Sequence, residues 1–247
     1  MLEVKGLVAG YGKVRAVDEV SLDVPAGSVL AVLGPNGAGK TTLMRTICGD
    51  LPVWAGEITF NGEDISQLRT DERAVRGVTL CPEGRRILST LTVEENLRIG
   101  ATALLRRAAR AERHQILAHA LERAFERFPV LKDRRSAPGG ALSGGQQQML
   151  AIARSLMSAP SLLLLDEPSL GLAPLMIDEV YGFLAALQAE GLTLVLVEES
   201  SRRALDFADH GLVMKNGHVL FGGSADEVRN DPRLAGVFLG ENAESAP

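Results

Sequence analysis

Cysteine is nearly absent from this chain, basic charge is in the minority, and no long apolar run occurs. Its two cysteines, Cys48 and Cys81, lack metal-ligand spacing. A disulfide scaffold or zinc site is therefore not expected, and both read as small core residues in a reducing compartment. The net charge is −5, which removes the electrostatic reason to expect a nucleic-acid partner. No stretch approaches the roughly 20 apolar residues that a spanning helix needs. The opening MLEVKGLVAGYGKV has no basic segment followed by an apolar one, so a secretory signal is not expected. A role at a membrane would require docking on something already there.

What is present suits a single large globular domain. The 247 residues are 46% hydrophobic and 23% charged, enough to bury a full core. The first 33 residues read as three strands, LEVKGLVAGYG, VDEVSLDVPAG and SVLAVLG. After Gly39 the period turns helical, with Leu43, Met44 and Ile47 on one face and Gly49 as a stop. A hairpin follows, WAGEITFNGEDI, turning at Asn61-Gly62. From Thr92 to Pro160 the chain reads mainly as helix. Ile116, Leu117, Ala120, Leu121, Ala124, Phe125 and Phe128 share one face there, and His114 and His119 lie on its polar side. Strands return at SLLLLD and LTLVLVEE, with a helix between them, as continuous apolar runs suited to parallel strands covered on both faces. A second hairpin turns at Asn216-Gly217, and Ser224 with Glu227 opens a helix by a capping box. The expected architecture is α/β: a parallel core sheet, an antiparallel β layer at the N-terminus and a helical insertion.

Three segments carry chemistry. The first, GPNGAGKTT, comprises Gly34, Pro35, Asn36, Gly37, Ala38, Gly39, Lys40, Thr41 and Thr42. It fits G-x-x-x-x-G-K-[ST] between a strand and a helix. By composition that pattern arises by accident in roughly one chain of this length in a hundred. The glycines let successive N–H groups curl around phosphate oxygens at a helix N-terminus. Lys40 can then reach the β- and γ-phosphates, and the Thr41 hydroxyl can ligate magnesium.

The second segment ends an apolar strand in two carboxylates. Asp166 is placed for the magnesium shell. Glu167 faces the other way and can act as general base or orient the attacking water. The third is LSGGQ at 142–146, where Ser143 and the N–H groups of Gly144 and Gly145, with Gln146 beside them, make a second anion site at a helix start. A chain with one nucleotide loop has use for two phosphate sites if two chains pair head to tail, each LSGGQ closing over its partner's nucleotide.

Over nearly its whole length the chain resembles ABC transporter ATP-binding subunits, P-loop NTPases of the ABC type. CPEGRRILSTLTVEENL at 81–97 and DEPSLGLAP at 166–174 are most similar to the branched-chain amino-acid importer ATPases; urea and short-chain amide importers share much of that wording. The resemblance implies one ABC ATPase domain over 1–247, with a RecA-like core at 1–83 and 159–247 and a helical subdomain at about 84–158. That subdomain would carry the docking surface for a membrane permease. The resemblance also implies ATP and Mg2+ as ligands, with Tyr11 stacking on adenine. The implied assembly holds a second ATPase subunit (a mixed pair favoured over an identical one), permease subunits and an extracytoplasmic solute-binding protein. It would sit at the cytoplasmic face of the cell membrane. A non-transport ABC ATPase and a regulatory nucleotide-binding subunit are the competing readings.

Three positions depart from the family pattern. Glu83 replaces the glutamine of the Q-loop and could still reach the magnesium shell. Ala173 replaces the D-loop aspartate. Glu199 replaces the switch histidine, and an ionised carboxylate there is repelled by a γ-phosphate. Either Glu199 turns away, or it is protonated, or this subunit hydrolyses slowly and a partner carries the fuller site.

Overall fold

The computed structural model describes residues 1–199 and 201–239, so residue 200 and residues 240–247 of the expected 1–247 domain lie outside the described residues. The chain opens with β1 (Leu2–Tyr11) and β2 (Val14–Val24), then β3 (Val29–Leu33) and α1 (Lys40–Ile47). Next come β4 (Ala55–Phe60), β5 (Glu63–Asp64), α2 (Thr70–Arg76) and β6 (Val78–Cys81). A helical stretch follows: α3 (Val93–Gly100), α4 (Thr102–Arg107), α5 (Arg113–Arg127), α6 (Pro129–Lys132) and α7 (Gly144–Leu156). The chain then runs through β7 (Leu162–Asp166), α8 (Pro174–Ala189), β8 (Thr193–Glu198) and α9 (Ser201–Phe207). It closes with β9 (His210–Lys215), β10 (His218–Ser224), α10 (Ala225–Asn230) and α11 (Arg233–Leu239).

Two sheets result. The smaller has order β2-β1-β4-β5 and is antiparallel. The larger has order β10-β9-β3-β8-β7-β6, parallel except for the β9–β10 hairpin. β3 thus leaves the N-terminal layer and sits inside the parallel sheet, and α2 and β6 were not anticipated from the sequence. Both Asn-Gly hairpins form, with Asn61, Gly62, Asn216 and Gly217 at positive φ, as such two-residue turns require. The expected stop of α1 at Gly49 and the capping box of α10 at Ser224 and Glu227 also form.

Strand alternation explains how the sheet is covered. Leu163, Leu165, Leu194 and Leu196 pack with the helices, sharing one apolar cluster with Val93, Leu97, Leu121, Phe125 and Met149. Leu162, Leu164, Val195 and Val197 face the opposite way, onto α1 and the antiparallel layer. Each buried leucine contributes about 1.5–3 kcal/mol. The helical stretch therefore shares its core with the sheet. His114 and His119 are exposed on α5. Arg73, only 1% exposed, donates to the carbonyls of Leu68, Ser66, Thr46 and Ile47. It thereby satisfies the C-terminal carbonyls of α1 and fixes the helix that follows the nucleotide loop.

Candidate functional site

The loop between β3 and α1 closes on itself. Ala38 N donates to Pro35 O at 3.1 Å and Leu43 N donates to Gly39 O at 2.9 Å. Gly39 caps α1 with φ 101°, and a Cβ there would lie 2.2 Å from the Ala16 carbonyl oxygen. Only glycine fits this position. The β9–β10 turn braces the loop, with Gly217 N donating to Ala38 O at 3.0 Å. Lys40 is 4% exposed, and its ammonium donates to Gly34 O at 2.6 Å and Pro35 O at 3.2 Å. Burial lowers its pKa, while the carboxylates of Glu167, Glu199, Asp166 and Glu198 oppose that effect.

Parity along the strands sorts the acids. Asp166 continues the face of Leu162 and Leu164, and so meets α1: Thr41 Oγ1 donates to Asp166 Oδ1 at 3.1 Å. Asp166 is 3% exposed and its pKa is pushed up to about 6. Burial is the largest cause; the Thr41 bond and Lys40 pull the other way, and Glu167 and Glu83 add to the rise. Glu167 begins a turn and holds a left-handed backbone, φ 49°, which costs a non-glycine residue about 1–3 kcal/mol. Its N–H donates to Val197 O at 2.9 Å and its carbonyl accepts from Leu170 N at 3.2 Å. Burial raises the Glu167 pKa, helped by Glu83 and Glu199 and opposed by Lys40.

Asn36, Gly37, Ala38, Gly39, Lys40, Thr41, Thr42, Glu83, Glu167 and Glu199 line one cleft of about 480 Å³, together with Ala16 and Leu170. Glu199 does not turn away: it lines the cleft and accepts from Asn36 Nδ2 at 3.4 Å. The cleft thus sets several carboxylates against one lysine, a balance that repels a bare polyphosphate. It suits a polyphosphate accompanied by a hard divalent cation, and every candidate donor here is an oxygen. Among the described residues no group of three or more His, Cys, Asp or Glu is arranged to hold a metal. A magnesium ion needs only one or two protein ligands, phosphate and water completing its shell, and Thr41 with Asp166, in contact at 3.1 Å, offers such an oxygen pair.

Gly34, Pro35 and Asp166 do not line the cleft but bond to Lys40 and Thr41, which do; two further expected elements lie away from it. Tyr11 ends β1, 44% exposed, its hydroxyl accepting from Arg45 Nη1 at 3.1 Å. The LSGGQ residues do not line the cleft either. Ser143 is the N-cap of α7, its Oγ accepting from Gln146 N at 3.4 Å while Gln146 Oε1 accepts from Ser143 N at 3.0 Å. Gly145 is buried, and a Cβ there would meet Met176 Cε at 2.3 Å. The Arg85 guanidinium lies beside Gly144 and donates to Gln147 Oε1 at 3.4 Å.

Sequence reading missed Ala16, Leu170 and Glu198. Glu198 had a visible signal: it is the residue of the Glu198-Glu199 pair whose parity turns it from the nucleotide loop toward the helices. A larger cleft, about 740 Å³, lies apart from the first, between α2, α4 and the end of α7, with Asp71, Leu80, Ile99, Arg106 and Arg154 in its lining.

The ABC transporter family pattern matches residues 17–170. The chain is 40% identical over 230 residues to the high-affinity branched-chain amino acid transport ATP-binding protein BraG of Pseudomonas aeruginosa, covering 93% of this chain and 95% of that one. It is 32% identical to a probable branched-chain amino acid transport ATP-binding protein of Archaeoglobus fulgidus, covering 97% and 99%. It is 33% identical to the lipopolysaccharide export system ATP-binding protein of Escherichia coli, covering 98% of each. Among solved structures, an ATP-binding cassette of an ABC transporter in its ADP conformation superposes with a TM-score of 0.85 at 29% identity, covering 98% and 99%. A dimeric bacterial ABC transporter cassette does so with 0.77 at 25%, covering 91% and 99%.

Proposed function

The chain belongs to the ABC transporter family, and we propose that within it this ATP-binding, ATP-hydrolysing subunit powers import of branched-chain amino acids. The observation that carries the substrate class is the 40% identity to the branched-chain amino acid protein over 93% of the chain, against 33% to the lipopolysaccharide export protein. The segments CPEGRRILSTLTVEENL and DEPSLGLAP support the same branch.

In the proposed mechanism the backbone N–H groups of 36–42 cradle the phosphates and Tyr11 stacks on adenine. Lys40 exchanges the Gly34 and Pro35 carbonyls for the β- and γ-phosphates. Thr41 and Asp166, already in contact at 3.1 Å, would hold Mg2+, with Glu83 beside its shell; the cation would neutralise charge on the phosphates. Glu167 takes the proton of the attacking water; its raised pKa moves it toward the range of an effective base. Ser143 and the N–H groups of Gly144 and Gly145, beside Gln146, close over the nucleotide of a second ATPase subunit, a related chain in the favoured arrangement. Residues 84–158 act as a helical unit against a core at 1–83 and 159–247. The 740 Å³ cleft, with apolar Leu80 and Ile99 beside Arg106, suits a short helix of the permease. No helix among the described residues is long and apolar enough to cross a membrane. The subunit would therefore work by docking on permease subunits at the cytoplasmic face, in a system with an extracytoplasmic solute-binding protein.

The test is uptake of labelled leucine, isoleucine and valine by source cells lacking the gene, restored with the parent chain or with Lys40→Ala. Uptake should return with the parent alone. Leucine, isoleucine and valine uptake unaffected by the deletion would sink the substrate assignment and leave urea, short-chain amide or lipopolysaccharide transport to be assayed in the same strains.

A further inference from the structure

Glu198 is a buried acid to which the proposed mechanism gives no task. It ends β8 at 3% exposed, and its pKa is raised chiefly by burial. Among the described residues, no basic side chain bonds to it. Instead Ser169 N donates to Oε1 at 3.2 Å, Ser169 Oγ donates to Oε2 at 2.9 Å, and the Tyr181 hydroxyl donates to Oε1 at 3.4 Å. Desolvating a carboxyl group is costly, and a structural contact here could be made by a neutral or apolar residue at lower cost.

What the group holds is the turn that starts at Glu167. Leu170 N donates to Glu167 O at 3.2 Å, which places Pro168 and Ser169 at the turn's two central positions. β8 grips that turn twice in succession. Val197 O takes the Glu167 N–H at 2.9 Å, and Glu198, the next residue, takes both donors of Ser169. A left-handed non-glycine backbone such as that of Glu167, φ 49°, persists only when its surroundings over-determine it. Tyr181 in turn fixes the carboxylate, packed edge-on against Phe207 with 5.5 Å between ring centroids and with Arg203 over its face at 6.0 Å.

We propose that Glu198 is a positioning residue for hydrolysis: by holding Ser169 it keeps the turn in the conformation that aims Glu167 at the attacking water. The proposal rests on Glu167 being the proton-accepting group. A carboxylate suits the task because both of its oxygens accept, so the N–H and the hydroxyl of one residue are held together. Glutamine keeps one acceptor and the same length, and so should work in part. Alanine keeps neither.

The test is steady-state ATPase of the chain assembled with its transporter, for Glu198→Ala, Glu198→Gln, Ser169→Ala, the Glu198→Ala/Ser169→Ala double variant and Glu167→Gln, with KM for ATP and Tm measured alongside. Misaiming a catalytic group costs about tenfold or more in kcat. Glu198→Ala should lose about that much and Ser169→Ala, which keeps its backbone N–H to Glu198, a measurable part of it, both with KM changed less than about twofold, and the double variant should be no worse than Glu198→Ala. Glu198→Gln should recover much of the loss. Parental kcat in Ser169→Ala, or losses that multiply in the double variant, would overturn the proposal. So would a Glu198→Ala effect confined to Tm. Should Glu198→Ala fail to fold, Ser169→Ala and Glu198→Gln decide the matter by their kcat alone. Full activity in Glu167→Gln would remove the reading of Glu167 itself. An inactive Glu167→Gln beside a fully active Ser169→Ala would remove only the role of Glu198.

Discussion

Thr41 Oγ1 donates to Asp166 Oδ1 at 3.1 Å, joining the first turn of α1 to the tip of β7 across 125 residues of chain. The bond is the principal hydrogen bond to an acid that burial pushes up to a pKa of about 6. Thr41→Val keeps the shape and removes the donor, leaving a buried carboxyl less satisfied at a cost of about 1–3 kcal/mol. We expect a lower Tm for the nucleotide-free protein and a loss of Mg2+-dependent ATPase. Thr41→Ser should restore both. Differential scanning fluorimetry and phosphate release measure the two effects, and an active Thr41→Val would remove the proposed magnesium role of this hydroxyl.

Gly39→Ala tests the loop itself. The new methyl group would lie 2.2 Å from the Ala16 carbonyl in a backbone at φ 101°, so it must displace β2 or open the helix start. A substitution that combines left-handed strain with a backbone clash costs about 2–4 kcal/mol. ATP binding, read by fluorescent-nucleotide titration, should fall with the stability. Gly37→Ala, at φ 82° but with nothing within 4 Å of the new carbon, should be the milder change of the two. Equal losses would argue against the clash.

Period and turn chemistry made most of this fold legible. The run Leu162–Leu165 fits a strand covered on both sides, and alternation along it separates Asp166 from Glu167; that Asp166 meets Thr41 is visible only in the fold. Asn-Gly pairs fixed both hairpins because two successive left-handed residues are cheap there. The membership of β3 in the parallel sheet was not legible, since VLAVL reads alike in either sheet. α2 escaped because TDERAVR is short and has little apolar periodicity. At the site, motif spacing reached the residues proposed to touch phosphate. Parity along β8 separates Glu198 from Glu199, but the role of Glu198 depends on Ser169 and Tyr181 arriving from other parts of the chain.

Glu94 carries a pH-dependent part of the stability. Arg135, the largest influence, and then Arg98 hold its pKa down to about 2, against an ordinary 4.5, with burial opposing. Its side chain is 18% exposed. Because the folded pKa is depressed, the contribution is complete above about pH 4.5 and is lost as pH falls through about 2. Allowing for solvent screening it amounts to about 1–2 kcal/mol. Glu94→Gln should therefore lower Tm at pH 7, and the gap to the parent should narrow steadily below pH 4.5. A gap that stays constant down to pH 3 would assign the loss to packing instead of charge.

Glu199→His addresses the oddest residue of the cleft. Glu199 accepts from Asn36 at 3.4 Å and shares the cleft wall with Lys40 and Glu167, so its carboxylate faces the space proposed for the γ-phosphate. Two like charges about 4 Å apart repel by roughly 4 kcal/mol near a protein surface. Histidine can instead donate a hydrogen bond to that phosphate. If repulsion limits this subunit, Glu199→His should raise kcat several-fold, and Glu199→Gln should give part of the gain by removing charge without adding the donor. Mixing either variant with a related partner subunit then asks whether the pair divides the labour. Fast hydrolysis by the parent, unchanged in both variants, would show that repulsion from this carboxylate does not limit the subunit and that the departure from histidine carries no penalty.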